Sequence, residues 1–411
     1  MKKPFYGWAI AAMGMLGNAI QGGIIFWSMG MYTSAFEDEF GATRARITLI
    51  ETLITAGSNL MSPLVGMWVD KGSARHLVAV GTLAMGAGLI LISQAGTLVQ
   101  VWVVYATLIP LGVLAVGMLP SSALIARWFR ANRGLALGVS LTGSSIGGFL
   151  VPPVLAFMFV AYGWRTSLLV IGIGVMALAP VFFKVLANFP EDRGLAPEPE
   201  APTQTPAASS DEGRDWPFRR LFRTPSLYLQ TVFSGALLGV TLGLLANLSL
   251  HTKDLGFSTQ QTAFLYSIIA FCSLAGKVVS GRMIDRFGIH PVAVVSMALM
   301  ASGLVTFYLS GSYPALIAGC FFIGGATGGI TPVWTSMISR RFGPRSFGRA
   351  LGIQSPMHIP ITAPTAPLAG HISDVTGSYS LVFLLYLGLV SLAAVALLLM
   401  TRRAGRSPAA G

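Results

Sequence analysis

Charge is scarce in this chain: only 10% of its 411 residues are Asp, Glu, Lys or Arg. A soluble domain carries about a quarter, because its surface must face water. Much of this surface therefore faces another solvent. Cysteine is scarcer still. Cys272 and Cys320 both fall inside apolar stretches and point to neither a disulfide framework nor a metal site. There is no nucleophile elbow, no phosphate-binding loop and no His–Glu metal spacing. The chain reads as a protein that is not an enzyme and that needs no cofactor and no nucleotide.

What remains is apolar: 54% of the residues are hydrophobic. A bilayer core takes about 20 mostly apolar residues per helical span. The sequence supplies twelve such stretches, at 7–35, 44–69, 75–94, 98–126, 132–161, 164–188, 225–252, 259–283, 289–309, 313–337, 346–371 and 379–401. Its 48 glycines suit close helix packing in lipid. The first stretch is too long for a signal-peptide core and reads as a retained span. The expected fold class is an all-α membrane protein of twelve transmembrane helices.

The net charge of +12 raises the question of nucleic acid. Its placement answers otherwise. With both termini cytoplasmic, 22 of the 27 Lys and Arg residues fall on that side. Only Arg44, Arg46, Arg165 and Lys253 fall outside, and Lys277 lies within a span. This is the positive-inside asymmetry of a multi-pass inner-membrane protein. Lipid is the implied partner, and nucleic acid is not.

Residues 190–224 form a Pro-, Ala- and acid-rich cytoplasmic linker. At its end Trp216, Phe218, Leu221 and Phe222 alternate with arginines, either as a surface-lying amphipathic piece or as a basic run-in to the next span. The flanks, 1–189 and 225–411, match at a near-constant offset. Gly66-x-x-x-Asp70 recurs as Gly281-x-x-x-Asp285, 215 residues on. Gly138 and Gly352, and Gly163 and Gly377, are each 214 apart. Each flank is one copy of a six-helix bundle, in the same orientation.

These residues resemble the major facilitator superfamily. The Gly-x-x-x-Asp-Arg/Lys loops after spans two and eight look like its most recognisable signature. Three further features resemble the monocarboxylate-transporter and oxalate–formate-exchanger branches: Tyr6-Gly7-Trp8; Arg127-Trp128-Phe129 with Arg133-Gly134-Leu135-Ala136; and Gly143-Ser144-Ser145 to Pro152-Pro153. There are departures. Where the monocarboxylate transporters carry an Asp and an Arg in span eight, this chain has Ser273 and Lys277. Phe26-Trp27-Ser28 stands in the region of their span-one lysine. The branch's proton-handling scheme therefore does not transfer directly.

Lys277 is the leading candidate. An intramembrane cation is expensive and usually faces a cavity or a partner. It either pairs with a substrate carboxylate and takes part in proton coupling, or snorkels to the headgroups. Glu51 in span two is either a protonation site or an outer-mouth acid paired with Arg44 or Arg46. His358, with Gln354 one turn before it, either meets an anion or a proton, or bonds a carbonyl freed by Pro356 or Pro360. Asn18, Gln21, Asn59, Asn247, Tyr105, Tyr266 and Trp334 either line a path or make interhelical hydrogen bonds. Trp102, Trp164 and Tyr379 read as interface anchors. By resemblance, Asp70, Arg75, Asp285 and Arg286 are gating residues that lock the two halves.

The resemblance implies a secondary transporter of a small monocarboxylate such as lactate, coupled to protons, working as a monomer by alternating access. Exchange of oxalate–formate type, export of amphipathic compounds and a non-transporting sensor are the alternatives.

Overall fold

The computed structural model describes residues 5–130, 132–196 and 218–404, and their side chains except at 70, 71, 133, 218, 343–349, 403 and 404. Among these residues nine stretches are helical, long and apolar enough to cross a membrane. One of them, Gly134–Val185, holds two spans, because Gly163 (φ 76°, ψ 159°) breaks the helix in its middle. Two more complete the set. Arg44–Lys71 is too polar to count among the nine, with Arg44, Arg46 and Glu51 in its first half. The other follows Phe342 and ends at Thr376. The protein is all-α, with twelve membrane helices in two six-helix bundles.

In order, the spans are one (Gly7–Phe40), two (Arg44–Lys71), three (Ala74–Ser93), four (Leu98–Trp128), five and six (within Gly134–Val185), seven (Pro225–Asp254), eight (Thr259–Phe287), nine (Ile289–Leu309), ten (Tyr313–Phe342), eleven (to Thr376) and twelve (Ser380–Ala404). Large apolar side chains lie bare along their flanks, among them Phe157 (63% exposed), Phe321 (60%) and Leu309 (73%). Water would penalise such a surface, whereas hydrocarbon accepts it.

Two compact units divide the chain, and each draws on more than one stretch of sequence. The first comprises Met1–Ala42, Leu53–Thr205 and Gly256–Ser267; the second comprises Thr43–Thr52, Pro206–Leu255 and Ile268–Gly411. Left-handed glycines punctuate both. Gly41 and Gly256 close spans one and seven, 215 residues apart, and Gly163 and Gly377 precede spans six and twelve, 214 apart. Only glycine holds φ > 0 without a Cβ penalty, so the repeat is written in the residues that turn the chain.

Helix packing in the first unit is backbone on backbone. A side chain at Gly143 or Gly147 of span five would collide with the carbonyls of Met15 and Ala19 in span one. Span four, expected to be continuous, is three pieces: Leu98–Ala106, Leu108–Val116 and Met118–Trp128. The causes are Pro110 and Pro120, which cannot donate to the carbonyls four residues back. Those carbonyls, Ala106 and Val116, instead lie against Gly57 of span two and Gly17 of span one. Span one carries a turn of π-helix, Gln21–Phe26, which the sequence did not announce.

The expected loop between spans ten and eleven is helical. One helix runs Tyr313–Thr362, and the break comes later, at Ala363 and Pro364. The linker's end forms a short helix, Phe218–Phe222. Leu221 buries with Leu227, Ile338 and Phe342, while Arg219, Arg220 and Phe222 stay exposed. Trp216 and residues 197–217 lie outside the described residues.

Candidate functional site

The second unit gathers most of the buried chemistry. In span eight, Lys277 lies ten residues before Phe287, roughly 15 Å of helix. Its side chain is half-buried. The helix there sits directly on span ten. A Cβ on Gly276 would stand 2.7 Å from the Gly325 carbonyl oxygen, and one on Gly328 would stand 2.8 Å from the Lys277 nitrogen. Two glycines thus let the backbones touch and fix where the lysine leaves its helix. One turn earlier, Ser273 is fully buried, and its Oγ has no hydrogen-bond partner among the described residues.

Spans seven, ten and eleven supply a second group. Ser234 Oγ donates to the Gln230 carbonyl at 2.7 Å. The same oxygen lies 2.8 Å from His358 Nε2, so Ser234 fixes the ring through that nitrogen. Trp334 lies edge-on to it, at 5.3 Å and 68°, and donates from Nε1 to Gln354 Oε1 at 2.7 Å. Gln354 is fully buried, and its Nε2 has no partner among the described residues. Gly235 makes room for the imidazole: a methyl there would lie 3.1 Å from His358 Cδ2. His358 therefore bonds a serine hydroxyl and not the proline-freed carbonyl considered from the sequence. Its neighbourhood offers an orphaned amide donor, as an anion requires.

The acids sort differently from expectation. Glu51 is 9% exposed and makes no ion pair among the described residues. The pairing with Arg44 or Arg46 weighed from the sequence is not found. Arg44 grips Asp254 with both guanidinium nitrogens at 2.5 Å and donates to Ser373 at 3.0 Å. The Asp374 carboxylate accepts the backbone N–H of Arg44 and Ala45, both at 3.1 Å, capping span two. The sequence reading missed Asp254 and Asp374. Their position at the ends of apolar stretches was the available signal.

Other candidates are held by the protein itself. Asn18 donates to Gly14 O at 2.9 Å and to Ser121 Oγ, Ser140 O and Ser140 Oγ at 3.3 Å, joining spans one, four and five. Asn247 donates to Gly243 O and Ala366 O and accepts from Tyr379. Asn59 donates back to Thr55 O within span two. Tyr105 and Tyr266 are fully buried, and Gln21 opens the π-helical turn. Tyr379 is not an interface anchor: it is 3% exposed, edge-on to His251 and inside the second unit. Among the gating residues, Arg75 lies over the Phe183 ring at 4.0 Å and donates to its carbonyl. Asp285 and Arg286 are exposed. The side chain of Asp70 lies outside the described residues.

Ser234 and Gln230 were also missed. The signal was a polar stripe four residues apart in an otherwise apolar helix.

Two bundles of six helices with buried polar groups at helix contacts define a solute-handling membrane protein. The family model described as Major Facilitator Superfamily matches residues 10–276 and 238–411, and the chain belongs to that superfamily of transporters. Curated relatives include monocarboxylate transporter 13 of Rattus norvegicus, 26% identical over 384 residues, covering 92% of this chain and 85% of that one. Monocarboxylate transporter 12 of Homo sapiens is 27% identical, covering 85% and 72%. Among solved structures, the nucleoside transporter NupG superposes with a TM-score of 0.74 at 15% identity, covering 96% and 99%. A bacterial homologue of the human lysosomal transporter Spinster, inward-facing and occupied, gives 0.71 at 14% identity, covering 98% of each. Identities this low show the shared fold only.

Proposed function

We propose that this transporter carries small organic monocarboxylates of the lactate type together with protons. The observation that carries this reading is Lys277, a half-buried cation deep in span eight. A lysine at that depth can receive a substrate carboxylate. Ser273 Oγ and Gln354 Nε2, buried donors without partners among the described residues, and the imidazole of His358 extend the same preference for an anion. Similarity to named monocarboxylate transporters along most of the chain supports the substrate class. Glu51, buried without an ion pair among the described residues, is the carboxylate proposed to take up the coupled proton. The domains proposed to rock are 1–189 and 225–411, joined by 190–224, with both termini in the cytoplasm and the protein a monomer in the inner membrane. Asp70, Arg75, Asp285 and Arg286 are proposed to act in gating.

Uptake of labelled lactate, pyruvate, formate and oxalate into proteoliposomes, with and without a proton gradient, tests this. Monocarboxylate uptake that rises with an inward proton gradient is expected. Uptake that ignores the gradient but needs an anion inside would make the protein an exchanger. Movement of a cationic dye and no carboxylate would make it an exporter.

A further inference from the structure

One cavity of the second unit is lined by neither Lys277 nor His358. It holds about 550 Å³ in the second unit, where spans seven and nine begin and spans ten and twelve end. Its walls are mostly apolar, with Leu229, Ile289, Met337 and Met400 among them, and its rim is basic. Arg340 and Arg341 are both exposed there, and no carboxylate lines it among the described residues. Arg341 Nε donates to Ser226 at 3.3 Å, which sets the guanidinium over the start of span seven.

Two helix N-termini add to this charge. Spans seven and nine are 30 and 21 residues long, and neither start carries a side-chain cap. The positive ends of both dipoles therefore meet at one cavity. An independent sign of a missing guest comes from Gln230, which lines the cavity and is 5% exposed. Its Oε1 has no partner among the described residues, although its Nε2 reaches Met337 O at 3.4 Å. A buried acceptor left without a donor is costly. The cavity thus asks for a negative group at the rim, a hydroxyl or amine donor beside it, and an apolar tail within.

We propose that this cavity is a binding site for an anionic phospholipid whose headgroup carries a hydroxyl, phosphatidylglycerol being the simplest example. The phosphate sits between Arg340 and Arg341, the headgroup hydroxyl donates to Gln230 Oε1, and the acyl chain follows Met337 and Met400. The place fits the ligand: this is the end of the spans where a bilayer presents its headgroups, and basic pockets between membrane helices bind such lipids.

Native mass spectrometry of the full chain in detergent, titrated with phosphatidylglycerol or phosphatidylcholine, tests the site. Each arginine contributes about 5-fold, so Arg340→Gln/Arg341→Gln should weaken phosphatidylglycerol binding roughly 20- to 30-fold. Arg340→Lys/Arg341→Lys should keep most of the affinity. Arg219→Gln/Arg223→Gln, an exposed pair at the same end but off the cavity, should change it less than about 2-fold. All four side chains are exposed, and lipid-free thermal unfolding should be the same in every variant. Equal binding by wild type and the Arg340/Arg341 glutamine variant would overturn the site, as would an equal loss in the off-cavity pair. Displacement of the lipid by inorganic phosphate at the same concentration would also overturn it, because the acyl chain would then contribute nothing.

Discussion

The two halves share a scaffold and differ in what they place on it. Lys277 stands 215 residues after Ser62, Gln354 stands 214 after Ser140, and His358 stands 214 after Ser144. At each of these repeat-related positions the first half has a serine. In the first unit the small hydroxyls serve helix contact: Ser140 accepts from Asn18, and Ser144 lies against Gly22. In the second unit the same positions carry a cation, an amide and an imidazole. Duplication thus fixes where a side chain stands and leaves open what it does. The first half uses these positions to join its helices, and the second uses them to carry charge and hydrogen-bonding groups.

The sharpest way to break that contrast is Lys277→Ala. Loss of a charge-assisted contact to substrate is worth up to about 3 kcal/mol, so carboxylate uptake should fall roughly 100-fold. Ser62→Ala should leave uptake within about 2-fold of wild type, in keeping with small surface and packing changes. Labelled-substrate uptake at fixed proton gradient measures both. Wild-type transport by Lys277→Ala would remove the lysine from the site and the anionic cargo with it.

Next in size is a substitution in the contact that the first half perfected. Gly143→Val puts a branched side chain onto the Met15 carbonyl and should cost about 1–3 kcal/mol or more of bundle stability. A fall in monodisperse yield and in detergent unfolding temperature reads it. Gly138→Ala, five residues earlier with open space at its Cβ, should change neither. Equal behaviour of the two variants would mean that spans one and five do not touch through glycine.

Much of this was legible in the sequence, and the failures have physical causes. Hydropathy marks spans because lipid demands it of every residue on a helix's outer face. The offset of 214–215 marks the repeat because turn glycines such as Gly163 and Gly377 cannot be exchanged cheaply. Lys277, Glu51 and His358 stand out because charge is so rare here. What hydropathy cannot give is azimuth. Tyr379, near a span end, looked like an interface anchor and faces His251 instead. Ser234 was passed over despite its place four residues after Gln230, because a serine in an apolar helix usually bonds its own backbone. This one does so as well, while also holding His358. The breaks in span four were not foreseen, since the glycines that receive the freed carbonyls belong to other spans.

A smaller effect separates the imidazole from its serine counterpart. His358→Gln keeps a polar group against Ser234 but cannot titrate. Uptake should drop about 10-fold, the value of one hydrogen bond to a charged group. Ser144→Ala should stay within about 2-fold. The comparison is made at several external pH values with the gradient clamped. A His358→Gln profile that parallels wild type at every pH would leave the ring a structural role only.

The smallest effect tests the claim that the Asn18 amide is held by the protein itself. Asn18→Leu removes an amide that donates to three neighbouring residues, two of them on other spans. Interhelical hydrogen bonds in membranes average only about 0.6 kcal/mol, so the loss should be near 1 kcal/mol and lower the unfolding temperature by a few degrees. Substrate affinity should not move, because the amide is occupied by protein. Ser121 and Ser140 lose the same partner, so Asn18→Leu and Ser140→Ala together should cost less than the sum of the two alone. A changed KM with an unchanged unfolding temperature would place Asn18 in contact with substrate. The first half would then share the chemistry here assigned to the second.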